Sequence, residues 1–185
     1  MTEQAPPTRG PAPPAHEDPD VDTDCLVMAR RVRQGGRSSV GLVALEPSIP
    51  VLELARLLGD ALMALGERVA LVGPTSRWRA PADSGERDPV VRADPDRVVE
   101  VFPRQVAPAR VSAALEQTVS LLRQGFDRVL VDLSGLDVLS EQAAALASVD
   151  GVALVGRAGA ASELELARFR GVISAGRLLG VILVG

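Results

Sequence analysis

The residues Glu46-Pro47-Ser48-Ile49-Pro50 fall where an α/β chain of this pattern would do its chemistry, directly after its first strand-like apolar run. Ligands of open parallel sheets sit at the carboxyl ends of the strands. A phosphate-binding loop at that place reads GxxxxGK followed by Ser or Thr: the glycines let backbone amides converge on phosphate, and the lysine supplies charge. This connection has no glycine and no lysine, its two prolines each remove an amide donor, and Glu46 would repel phosphate. The chain holds no tyrosine, and all 20 of its basic side chains are arginine. A phosphate-loop lysine, a Schiff-base lysine and a phosphorylated tyrosine are therefore excluded. The spacing Gly36 to Gly41 fits GxxxxG, but it continues Leu42-Val43 and lies before and within the strand.

Other candidates are few. Asp132 ends the apolar run Val129-Leu130-Val131, the place of a carboxylate that holds Mg²⁺ directly or through water. It could equally cap the following turn at Ser134-Gly135, and the missing lysine favours that role. The second strand ends Val72-Gly73-Pro74-Thr75, with no carboxylate to orient an attacking water. Ser38, Ser39 and Ser48 have no histidine in a structured segment to activate them. The single His16 lies in a proline-rich stretch, where it reads as a solvated residue, because metal sites need several convergent ligands. Cys25, on an apolar helical face, reads as a small core residue.

The elements that would position these groups alternate strictly. Residues 23–33 have helical spacing at Cys25, Leu26, Met28, Ala29 and Val32, with Thr23 or Asp24 able to cap the free amides. Arg30, Arg31 and Arg33 fall near the end of that helix, where cations complement its dipole; they serve capping and solubility, or a docking and self-association surface. After Gly35-Gly36, the runs 39–45, 68–73, 98–102, 127–132, 151–155 and 181–184 read as strands. Helices are expected over 50–65, 107–123, 140–147 and 161–175. The first of these is so broadly apolar that its neighbours should nearly engulf it. Residues 74–97 form a long polar connection containing Arg77, Trp78 and Arg79, of a length that is either functional or mobile. Strands alternating with helices imply a mostly parallel sheet covered on both faces. No internal repeat is present.

Composition sets the bounds. Residues 1–22 hold six of the fourteen prolines and almost no large apolar side chain, so they read as a disordered arm. Residues 23–36 form the helix and a linker, and residues 37–185 an α/β domain. Aromatics make up only 2% of the chain, so its core must be aliphatic, which suits a covered parallel sheet. The net charge of −4 gives no general attraction to nucleic acid or anionic lipid. One cysteine permits no internal disulfide, and no apolar run approaches the roughly 20 residues of a membrane span. A bacterial-type cytoplasmic protein is expected, reaching a membrane only through a partner.

With the elements placed, the chain resembles the ParA/MinD-like P-loop ATPases, and within them the cytoplasmic domain of bacterial capsular-polysaccharide tyrosine kinases. The segments that carry the resemblance are SSVGLVALEPS, LARLLGDALMALGERVALVG, FDRVLVDLSGLDVLSEQAAALASVDGVALVGRAG and SAGRLLGVILVG, within residues 38–185. The resemblance implies a three-layer P-loop NTPase-like fold. It also makes Asp132 the counterpart of a Walker B carboxylate, and the helix bearing Arg30, Arg31 and Arg33 the counterpart of one that mediates ring assembly. Against the family pattern, the first phosphate loop is shortened by about four residues, Gly73 or Pro74 replaces a carboxylate, and no tyrosine-rich tail is present.

Two functions are compatible with these residues. One is a non-catalytic, pseudokinase-like interaction module without cofactor, capable of homo-oligomerisation. It would act beside polysaccharide synthesis or export machinery, an active ATPase paralogue or a separately encoded enzyme, through the arm and the 74–97 connection. The other is a nucleotide-binding switch or weak phosphotransfer enzyme, in which Arg77 or Arg79 replaces lysine and ATP with Mg²⁺ is the cofactor. Arginine neutralises phosphate charge but cannot restore a missing amide cradle.

Overall fold

The computed structural model describes residues 23–74, 90–92, 98–102, 106–107, 110–135, 139–159 and 163–184. They form α1 (Thr23–Gln34), β1 (Ser39–Ala44), α2 (Val51–Ala64), β2 (Val69–Val72), β3 (Val90–Arg92), β4 (Val99–Phe102), α3 (Val111–Gly125), β5 (Arg128–Asp132), α4 (Leu139–Ala147), β6 (Gly151–Arg157), α5 (Glu163–Val172) and β7 (Leu178–Val184). The strands make one sheet in the order β3-β4-β2-β5-β1-β6-β7. Every neighbouring pair is parallel except β3 with β4. The central strands are almost purely aliphatic and buried along their length, as a sheet covered on both sides requires.

Each face of the sheet has its own core. On one face Val43, Val72, Val129, Val131, Val152 and Leu154 meet Val111, Leu115 and Val119 of α3, Ala145 and Leu146 of α4, and Phe169 of α5. On the other, Val40, Leu42, Leu71, Leu130 and Val155 meet Leu54, Leu58 and Leu62 of α2, with Cys25 and Ala29 bringing α1 into the same layer. Cys25, the chain's single cysteine, is thus a buried core residue. The three-layer α/β/α architecture expected from the alternation is the one observed.

Four local expectations are corrected. β3 lies inside the stretch read as a continuous loop; its three residues, VVR, are too few to show a period and are held by pairing with β4. Helix α2 is less enclosed than its apolar pattern implies, since Leu57 is 50% exposed. Helix α3 starts at Val111, four residues later than expected, because a turn closed by the Arg110 amide on Ala107 O (2.8 Å) precedes it. Strand β7 starts at Leu178, three residues early, because α5 stops at Val172.

The sheet ends differently on its two sides. β3 is short, and the Arg92 guanidinium lies 5.4 Å from the centre of the Phe102 ring. β7 is seven residues long, uncharged, and exposes Leu179, Val181 and Leu183.

Candidate functional site

Only two polar side chains are buried in the described core, Ser39 and Asp132. They mark opposite poles of the sheet. Ser39 opens β1 and Asp132 closes β5.

At the carboxyl pole, β1 leads into α2 on one face and β5 leads toward α4 on the other, so the crevice between them is the topological switch point where such sheets bind ligands. The chain after β1 turns back on itself there. The Leu45 amide donates to Val155 O (2.8 Å), Ile49 to Glu46 O (3.2 Å), Val51 to Ile49 O (2.9 Å), and Glu53 and Leu54 both to Pro50 O (3.1 and 3.3 Å). Pro47 and Pro50 have no amide hydrogen. Five amides of this stretch thus have backbone acceptors, four of them within the turn and the first turn of α2. Glu46 places a carboxylate oxygen, Oε1, out of reach of water and without a hydrogen-bond partner. A buried acceptor of this kind opposes a second anion.

Asp132 is 1% exposed, and its Oδ1 accepts the Ser134 amide at 2.8 Å. The carboxylate therefore organises the turn that leaves β5. The end of β2 is closed sterically. A Cβ added at Gly73 would stand 2.5 and 2.6 Å from Cδ1 and Cε1 of Phe102, a separation real Cβ atoms do not tolerate. The ring occupies the volume any side chain at this position would need, a carboxylate included. The Gly73 amide completes the seal with a 2.9 Å bond to Val101 O.

At the amino pole lies an arrangement the sequence reading did not assemble. Ser38 Oγ donates to Asp150 Oδ2 (2.7 Å), as does the Ser39 amide (3.1 Å), while the Asp150 amide donates to Ser39 Oγ (2.9 Å). Arg123 Nη2 reaches Asp150 Oδ1 at 2.8 Å and also bonds Ser39 Oγ. Burial raises the Asp150 pKa, but the Ser38 hydroxyl, the Arg123 charge and the Ser39 amide outweigh it and hold the carboxyl below its ordinary value. The signal available in sequence was polar residues at strand starts, Ser38-Ser39 and Asp150, which a search confined to strand ends passes over.

The arginines singled out on α1 have separate situations. Arg30 and Arg31 are exposed, whereas Arg33 pairs with Glu67 at 3.2 Å and reaches Leu65 O at 3.4 Å. Glu67 also receives Arg128 at 3.4 Å, so Arg33 belongs to a three-residue network joining α1 to the starts of β2 and β5. Arg77, Trp78 and Arg79 lie outside the described residues, as do His16 and the rest of residues 1–22. Among the described residues no group of histidine, cysteine and carboxylate side chains could hold a metal ion, and no helix is long and apolar enough to cross a membrane.

No family model matches the chain, and no curated protein matches it. Solved structures do. The BceF tyrosine kinase domain is 21% identical, with a TM-score of 0.65 over 87% of this chain and 74% of that one. The kinase domain of Escherichia coli tyrosine kinase ETK is 16% identical, with a TM-score of 0.64 over 89% and 78%. The chimerical protein CapA2B2 is 14% identical, with a TM-score of 0.65 over 91% and 87%. The chain thus shares the fold of bacterial tyrosine kinase domains, the P-loop-like α/β fold its sequence resembles.

Proposed function

We propose that the protein is a non-catalytic module that keeps a tyrosine-kinase-like scaffold and uses it for interaction or regulation. The observation that carries this reading is the closed carboxyl pole. Five amides after β1 are bonded to backbone carbonyls, Glu46 brings an unpartnered acceptor to the turn, and Phe102 fills the space beyond β2. Phosphoryl transfer depends almost entirely on positioning and charge stabilisation, and this pole offers neither. The chain also lacks the lysine and the tyrosines that kinase and autophosphorylation chemistry would use.

The resemblance to capsular-polysaccharide tyrosine kinases supports a protein partner in polysaccharide synthesis or export, or an active ATPase related to this chain. Such a partner would hold the module in the cytoplasm at the membrane. Arg30 and Arg31 on α1 are the described candidates for that contact, joined by Arg77, Trp78 and Arg79 of the 74–97 connection. Asp132 is the remnant of a metal-binding carboxylate, retained for the turn it organises.

Calorimetric titration with ATP and ADP, each with and without Mg²⁺, tests the reading. The expected result is no Mg²⁺-dependent binding up to millimolar nucleotide, where a millimolar Kd still corresponds to about 4 kcal/mol of binding. Mg²⁺-dependent binding that Asp132→Ala abolishes would replace the module with a nucleotide switch.

A further inference from the structure

We propose that the cavity at the amino pole of the sheet is a binding site for a small phosphate-bearing anion. The cavity has a volume of about 490 Å³, and its charged lining is Arg37, Arg123 and Arg177 against Glu116 and Asp150, with Ser120 and Ser148 contributing hydroxyls. Three guanidiniums against two carboxylates leave one positive charge in excess, in a chain whose net charge is −4.

Elsewhere, Arg33 and Arg128 share Glu67, Arg56 pairs with Glu100 and Arg68 with Asp127. Around the cavity only Arg123 has a carboxylate partner, Asp150. Arg37 donates one nitrogen to Gly176 O at 2.8 Å. Arg177 donates one to the carbonyls of Leu146 and Val149 at the end of α4. A guanidinium carries five N–H donors on three nitrogens, so Nε and Nη1 of Arg37 and of Arg177 have no protein acceptor among the described residues. Arg123 adds an Nε that is shielded from water and unpartnered.

These contacts also anchor the donors. One nitrogen of each arginine is tied to the framework, at Gly176, at Asp150 with Ser39, and at the α4 terminus, while the others remain unused. Arginine held in this way recognises phosphate through paired N–H bonds. The Ser38, Ser39 and Asp150 network behind Arg123 fixes the floor. The site is separate from the carboxyl pole and does not depend on the non-catalytic reading.

Titration of the full chain with sodium pyrophosphate, without metal and at low ionic strength, is the test. Saturable one-to-one binding is expected, weakened about tenfold or more, which is about 1.4 kcal/mol, by Arg37→Gln. That variant loses one exposed hydrogen bond, so circular dichroism should show it folded; Arg177→Gln is the second variant, with melting temperature as its control. Arg170→Gln, exposed and outside the cavity, should bind as the unaltered chain does. Absence of saturable binding to about 5 mM, equal affinity in Arg37→Gln, equal weakening in Arg170→Gln, or tighter binding of citrate than of pyrophosphate would each overturn the assignment. ATP binding that survives Asp132→Ala and Mg²⁺ removal but falls in Arg37→Gln belongs to this cavity. It leaves the reading of the carboxyl pole intact.

Discussion

Individual positions in this chain are decided by what stands next to them rather than by their own type. Gly41, in the middle of β1, is an example: a Cβ there would lie 2.6 Å from Leu133 Cδ1 and 3.2 Å from Val149 Cγ2. Gly41→Ala should lower stability by about 1–3 kcal/mol, as overpacked cores do. A thermal or denaturant melt measures this, and shortening Leu133 to Val in the same chain should recover part of the loss. At Gly73 the sequence could say that a carboxylate was missing; only the structure says that Phe102 has taken its place. Asp132 was readable as a strand-ending carboxylate with two roles, and its bond to the Ser134 amide shows that it caps the turn. The amino-pole cluster was not readable at all. Its members come from positions 37, 123, 150 and 177, far apart in sequence, and no motif links them; the parallel packing of β1, β5 and β6 brings them together.

Among the elements, those with long uniform patterns were the legible ones. β1, α2 and β5 carry continuous apolar runs or a wide helical stripe, and their ends match the sequence reading to within a residue or two. Elements set by their partners were harder: β3 exists through its pairing with β4, and the start of β7 follows from where α5 stops. The starts of the strands are tied by ion pairs as well as by the ladder. Arg68 and Asp127 exchange backbone bonds, Asp127 N to Arg68 O and Arg68 N to Asp127 Oδ2, both 2.9 Å, and their side chains meet at 3.0 Å. Hydrogen bonds from the Arg68 side chain and amide lower the Asp127 pKa from 3.8 to about 2. Asp150 moves the same way. A carboxyl whose folded pKa is depressed stabilises the fold above its unfolded pKa and loses that contribution as pH falls through the folded value. Melting temperature should therefore hold steady from neutral pH to about pH 4 and decline between about pH 4 and pH 2. Asp127→Asn and Asp150→Asn should flatten that decline. A carboxyl titration by NMR should place the Asp127 midpoint near 2; a midpoint near 4 would show that the exposed pair does not form in solution.

For the molecule as a whole, the alternation of strands and helices announced a covered parallel sheet, and two cores built on opposite faces are its direct result. Strand order and the antiparallel β3 at one margin required coordinates, since short apolar strands of similar composition do not declare their neighbours. The margins carry the practical consequence. Long, apolar, uncharged edges invite pairing with other chains, and lysine is the usual guard; β7 has no charge and leaves Leu183 60% exposed. Leu183→Lys should reduce concentration-dependent light scattering without changing the melting temperature, and unchanged scattering would show that this edge is not the source. β3, at the opposite margin, is only three residues long and carries Arg92 over the Phe102 ring, so the two margins offer a second chain unequal ladders, seven residues against three. The longer ladder makes β7 the edge along which two copies would meet first.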